Sequence, residues 1–139
     1  MTESLARSER RELCELMLTL GPDAPTLCTG WTAHHLAAHL RMRESDPIGA
    51  VGIVIPFGKT ADKHMHELMT KMSFGELVGL VAAGPGRLNP LRMPLIDSKL
   101  NTTEFFVHHE DLRRGGPYPV GPRVLSPAAD QEIWETAIA

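Results

Sequence analysis

The chain has 139 residues, 42% hydrophobic and 22% charged, and carries a formal net charge of −3 with histidine neutral. This is the size and balance of one globular domain with room for a single core. No basic stripe stands out, which argues against a nucleic-acid partner. The longest apolar stretch, around Ile48–Phe57, is too short and too broken by glycine and proline to span a membrane.

The first eleven residues lack the apolar core of a signal peptide. Cys14 and Cys28 show no metal-like spacing and make no disulfide framework. A cytoplasmic protein with reduced thiols is therefore expected. Five of the seven histidines fall in two short stretches, 34–39 and 108–109, and that clustering requires an explanation.

In chain order, Ser4 to Leu20 reads as a first helix. Leu5, Leu13, Leu16, Met17 and Leu20 sit at helical spacing, with Arg and Glu on the other face, and Gly21-Pro22 is the stop. A loop to Gly30 carries Cys28. Thr32 is the expected N-cap of a second helix running to about Ser45, where Asp46-Pro47 stops it. Trp31, just before that cap, is placed to staple the first turn. Leu36, His39, Leu40 and Arg43 share one face, so His39 lies in the apolar stripe; alone, it would read as a core histidine bonded to a carbonyl or carboxylate.

Pro47 to Lys59 reads as an ordered connection, and Ile53–Ile55 is a strand-like triplet with nothing to pair with. Thr60 is the expected cap of a third helix through Met72, and Ser73-Phe-Gly-Glu76 is a capping box for a continuation to Ala83. His64 and His66 read as surface residues. After a loop with two prolines, Asp97 or Asn101 is the expected cap of a fourth helix ending at Gly115-Gly116. Pro117–Pro122 is a linker, and Ser126-Pro127 starts a last helix that reaches Ala139 with no stop signal, as in a truncated piece of a longer chain. The expectation is an all-α, antiparallel four-helix bundle over residues 1–116, with a linker and an additional C-terminal helix over 117–139 packed on it.

The fourth helix places Glu104, His108 and Asp111 on one stripe, at spacings of four and three. Bundles build metal sites from side chains on facing helices. His39 with Glu104 and His108 makes a two-histidine, one-carboxylate set that leaves a coordination position open. Such a set suits zinc, but also Fe(II), Mn or Ni. His35 with His39 is a competing pair, and Asp111 is an alternative to Glu104, although it is better placed to orient His108.

Gly30-Trp-Thr-Ala-His-His-Leu-Ala-Ala-His39-Leu and Glu104-Phe-Phe-Val-His108-His-Glu-Asp111 resemble the two motifs of the DinB-like superfamily, in its branch of mycothiol-dependent maleylpyruvate isomerase N-terminal domains. The nearest resemblance is to a small actinobacterial group of metal-binding proteins with Cys28-Thr-Gly-Trp and Glu-Phe-Phe-Val-His-His-Glu-Asp as hallmarks. The resemblance spans about residues 4–115. It implies a four-helix bundle and a divalent metal, usually zinc, on His39, Glu104 and His108. Many relatives carry Asp where this chain has His35, and the isomerase's C-terminal domain has no counterpart here.

The function expected from these readings is metal-dependent activation of a low-molecular-weight thiol, of the mycothiol type, for isomerisation or transfer on a small electrophile. Arg113, Arg114, Arg87 and Arg92 are candidates for binding substrate carboxylates, set against the plainer role of a basic helix end. Cys28 has no evident base and reads as a buried structural thiol. The alternative function is non-catalytic metal binding, as a sensor, a store or a structurally metallated bundle. DinB-like relatives are often dimers, so a homodimer is a further expectation.

Overall fold

The computed structural model describes residues 2–45, 58–86, 88–118 and 120–138. The stretch Pro47–Phe57, with the Ile53–Ile55 triplet, and Arg87 lie outside them. The described chain is all-α: α1 (Leu5–Leu20), α2 (Ala33–Ser45), α3 (Gly58–Lys71), α4 (Phe74–Ala83), a 3-10 turn (Pro90–Arg92), α5 (Pro94–Arg114) and α6 (Pro127–Ile138). Its β pairing, among the described residues, is one isolated bridge between Pro25 and Thr32. No helix among these residues is long and apolar enough to cross a membrane.

α1 opens with the Ser4 hydroxyl accepting from the Arg7 N–H and closes at Gly21, whose φ of 90° suits glycine. Its buried stripe is Ala6, Glu9, Arg10, Leu13, Cys14 and Met17, while Leu20 is exposed. The helix was correctly placed by its pattern, but two charged residues expected outside are inside. The third helical segment starts at Gly58, two residues before Thr60, and it breaks at Ser73. The Ser73 hydroxyl accepts from the Glu76 N–H and restarts the chain as α4. α5 begins at Pro94, so Asp97 and Asn101 do not cap it; they lie inside it, buried.

α1 packs against α5 and α4, α2 against α3 and α4, and α6 against α5. Leu13, Met17, Leu36, Leu40, Leu77, Phe105 and Leu112 are fully or almost fully buried and form the centre. Each such side chain contributes about 1.5–3 kcal/mol by leaving water. α6 buries no residue and is tied to α5 by Thr103 with Thr136 at 2.6 Å and by Ser98 donating to Glu132 at 3.1 Å.

The buried charges form two networks. Arg10 pairs with Glu44, lies 3.7 Å from Asp97, donates to the Val81 carbonyl at 2.7 Å and covers the Phe105 ring at 4.3 Å. Asn101 donates to Asp97 at 2.7 Å and accepts from Arg43 at 3.3 Å. The chain of contacts therefore runs from α1 through α5 to Arg43 on α2, beside the histidines. On the other side of α5, Arg123 binds Glu110 at 2.6 Å and Glu9 at 2.7 Å, and its guanidinium covers Phe106. That clamp holds the Pro/Gly-rich segment after α5 against α1.

Candidate metal centre

α2 and α5 bring His39, Glu104 and His108 together. The helical register of α5 stacks Glu104 under His108, and α2 turns His39 toward them from between the buried Leu36 and Leu40. Glu104 Oε1 is 3.0 Å from His108 Nε2 and 3.3 Å from His39 Nε2. One donor atom from each residue lies within 4.8 Å of the other two. Zinc bonds of 2.0–2.1 Å in a tetrahedron would separate neighbouring ligand atoms by about 3.3 Å. The separations of 3.0 and 3.3 Å fit that edge, so this donor set fits a small divalent ion.

Electrostatics favour the ligand form of the carboxylate. Burial works to raise the Glu104 pKa, but hydrogen bonds with His108 and His39 and the nearby Arg43 guanidinium outweigh it. The carboxyl is held well below the usual carboxylate range. Arg43 Nε lies 3.6 Å from Glu104 Oε1. The three side chains keep 22%, 31% and 12% of their surface open for His39, Glu104 and His108, so solvent reaches the centre.

Asp111 sits on the far side of the His108 ring, with Oδ2 at 3.1 Å from Nδ1. That contact fixes ring orientation and leaves Nε2 for the centre. Trp31 walls His39, with ring centroids 5.0 Å apart, in the second turn of α2. His35 is used elsewhere. Its Nδ1 accepts from the Thr32 N–H at 3.0 Å, closing the start of α2, and its ring meets His66 at 5.7 Å. His64 and His66 are exposed.

Cys28 is closer to the centre than its sequence position implied. It is half-buried, and its thiol donates to Asp111 Oδ2 at 3.4 Å. Burial and the Asp111 carboxylate push its pKa up. The loop reaches α5 because Leu27 N–H donates to the Asp111 carbonyl at 3.1 Å and because Gly115 has no side chain. A Cβ at Gly115 would collide with the backbone of Pro25 and Thr26, meeting the Thr26 carbonyl carbon at 2.7 Å. The Cys28–Asp111 pair is 83 residues apart, so sequence spacing carried no signal for it.

Of the proposed substrate-binding arginines, Arg113 and Arg114 pair with Glu110 at 3.0 and 2.7 Å, and Arg92 donates to the Pro85 carbonyl. They are engaged within the fold.

Comparison with curated proteins gave no match, and comparison with solved structures gave none either. The mycothiol maleylpyruvate isomerase N-terminal domain family matches residues 6–94, a span that covers His39 and stops before Glu104 and His108. With an all-α bundle that carries the second motif on the facing helix, the chain belongs to the mycothiol maleylpyruvate isomerase N-terminal domain family, within the DinB-like bundles.

Proposed function

We propose that this protein holds a divalent metal, zinc first, on His39, Glu104 and His108, and uses it to activate a low-molecular-weight thiol against a small electrophile. The observation that carries the proposal is the convergence of two imidazole nitrogens on one carboxylate oxygen at 3.0 and 3.3 Å in a place solvent reaches. A divalent ion there would supply Lewis-acid lowering of a thiol's pKa.

The chain's own groups have defined parts in this reading. Asp111 accepts the Nδ1 proton of His108 and keeps Nε2 free. Glu104 supplies the negative charge, and Arg43 steadies it from 3.6 Å. Trp31 and the buried Leu36 and Leu40 limit the rotamers of His39. Partial exposure favours an exchangeable position over a closed structural site, which is why a thiol-dependent isomerase or transferase is placed ahead of a sensor, a store or a structurally metallated bundle. The acting unit is a single chain or a homodimer.

The test is a turnover assay of the zinc-loaded protein with mycothiol and maleylpyruvate or a related electrophile, beside the His39→Ala variant. Thiol-dependent turnover in the parent and none in the variant is the expected result. Metal binding without turnover, with four protein ligands and no water by X-ray absorption, would replace the enzyme reading with the non-catalytic one.

A further inference from the structure

His108 presents each of its ring nitrogens to a different donor set. Nε2 faces Glu104 and His39; Nδ1 faces Asp111 Oδ2 at 3.1 Å, and that same oxygen is 3.4 Å from Cys28 Sγ. Donor atoms of Cys28, His108 and Asp111 all lie within 4.8 Å of one another. At zinc's bond lengths, 2.3 Å to sulfur and 2.0–2.2 Å to nitrogen and oxygen, tetrahedral edges would be about 3.3–3.7 Å, within a few tenths of an ångström of both separations.

We propose that Cys28, His108 and Asp111 form a second metal position on the opposite side of the His108 ring, selective for soft, thiophilic ions such as Cd²⁺ or Cu(I). Two features separate it from the first position. Its donors include a thiolate, the ligand that soft ions prefer, whereas His39, Glu104 and His108 offer only nitrogen and oxygen. With Cys28 ionised it also carries two negative ligands that match a dication. The first position has one, and the Arg43 guanidinium lies 3.6 Å from it.

The two positions compete. A neutral imidazole has one free lone pair, so an ion on Nδ1 requires the proton on Nε2, and Glu104 Oε1 is there to accept it. An ion on Nε2 requires the proton on Nδ1, and Asp111 Oδ2 accepts that one. Each tautomer thus has a carboxylate in place. Binding at the thiol position releases the Cys28 proton to solvent, with no change in oxidation state. Soft ions would therefore displace metal from the first position by taking its shared histidine.

This inference shares His108 with the proposed function but uses neither His39 nor Glu104, so the two can fail separately. The test is titration of the purified, metal-free chain with CdCl₂, following the ultraviolet thiolate-to-cadmium charge-transfer band. The band should saturate near one Cd²⁺ per chain, survive in His39→Ala and in Cys14→Ala, and vanish in Cys28→Ser. Zinc content should be equal in the parent and Cys28→Ser. No thiolate band in the cadmium-saturated parent, or an undiminished band in Cys28→Ser, would overturn the proposal. Should Cys28→Ser fail to fold, the ¹¹³Cd resonance of the parent decides: a downfield, sulfur-ligated shift supports the site, and an all-nitrogen-and-oxygen shift overturns it.

Discussion

His108 and His109 are neighbours in sequence and opposites in the structure. His108 faces α2, in a partly open cluster where Glu104 Oε1 is shared between two imidazoles. His109 faces α1, buried, with Nδ1 2.7 Å from Glu9 Oε2. Both clusters have the composition of a metal site, since Glu9, Glu12 and His109 also bring donor atoms within 4.8 Å of one another. The second, however, already holds a cation. Arg123 reaches Glu9 Oε1 at 2.7 Å and Glu12 at 3.8 Å, where an ion would have to go. A residue set alone does not make a metal site; the charge beside it and its access to solvent decide.

Breaking the closed cluster should have the largest effect on stability. Glu9→Ala leaves His109 and Arg123 without their shared carboxylate and should cost about 3–5 kcal/mol in urea denaturation, with zinc binding at His39 and His108 retained in the folded fraction. A cost under about 1 kcal/mol would remove the distinction drawn between the two clusters.

Gly115→Ala comes next. The added methyl must push the Pro25–Thr26 backbone away from α5, an overpacking that should cost about 1–3 kcal/mol. Because that loop carries Cys28, the substitution should also weaken cadmium binding while sparing zinc. An unchanged melting temperature and unchanged cadmium affinity would show that the loop is not held as described.

The closed side should also govern acid stability of the metal-free protein. Burial opposes ionisation of Glu110, but Arg114, Arg123 and Arg113 lower its pKa from the ordinary 4.5 to about 2. Glu9 is lowered too, with His109 and Arg123 overcoming its burial. A carboxyl with a lowered folded-state pKa adds stability in full above its unfolded value and loses it as pH falls through the folded value. Stability should therefore decline from about pH 4.5 toward about pH 2, and Glu110→Gln should flatten that decline. An identical acid limb in the variant would assign the acid sensitivity elsewhere.

The smallest effect belongs to His66→Ala. His66 is exposed and its ring meets that of His35, away from the zinc ligands, so zinc content and stability should stay within error of the parent.

Those parts of the fold and site that depend on one helix were legible in the sequence. The helical period put Glu104, His108 and Asp111 on one stripe, and the Ser73 and Ser126 caps marked two helix starts through local hydrogen bonds. His39 was reachable because it interrupts an apolar stripe. Apart from the set of His39, Glu104 and His108, contacts between helices were not legible. Glu9 and Arg10 looked like surface residues because their partners, His109, Arg123, Glu44 and Asp97, lie far along the chain. Asp97 and Asn101 have the chemistry of N-caps, and only the earlier start of α5 at Pro94 turned them inward. Cys28 was read as a structural thiol because nothing in its neighbourhood points to Asp111.

The most direct measurement is elemental analysis of tag-free protein purified without added metal, beside His39→Ala. The account predicts about one zinc or similar divalent ion per chain, and a loss of affinity of more than about 100-fold in the variant. Equal metal in both proteins, or none in either after reconstitution with zinc, would contradict the assignment of His39, Glu104 and His108 as the metal centre.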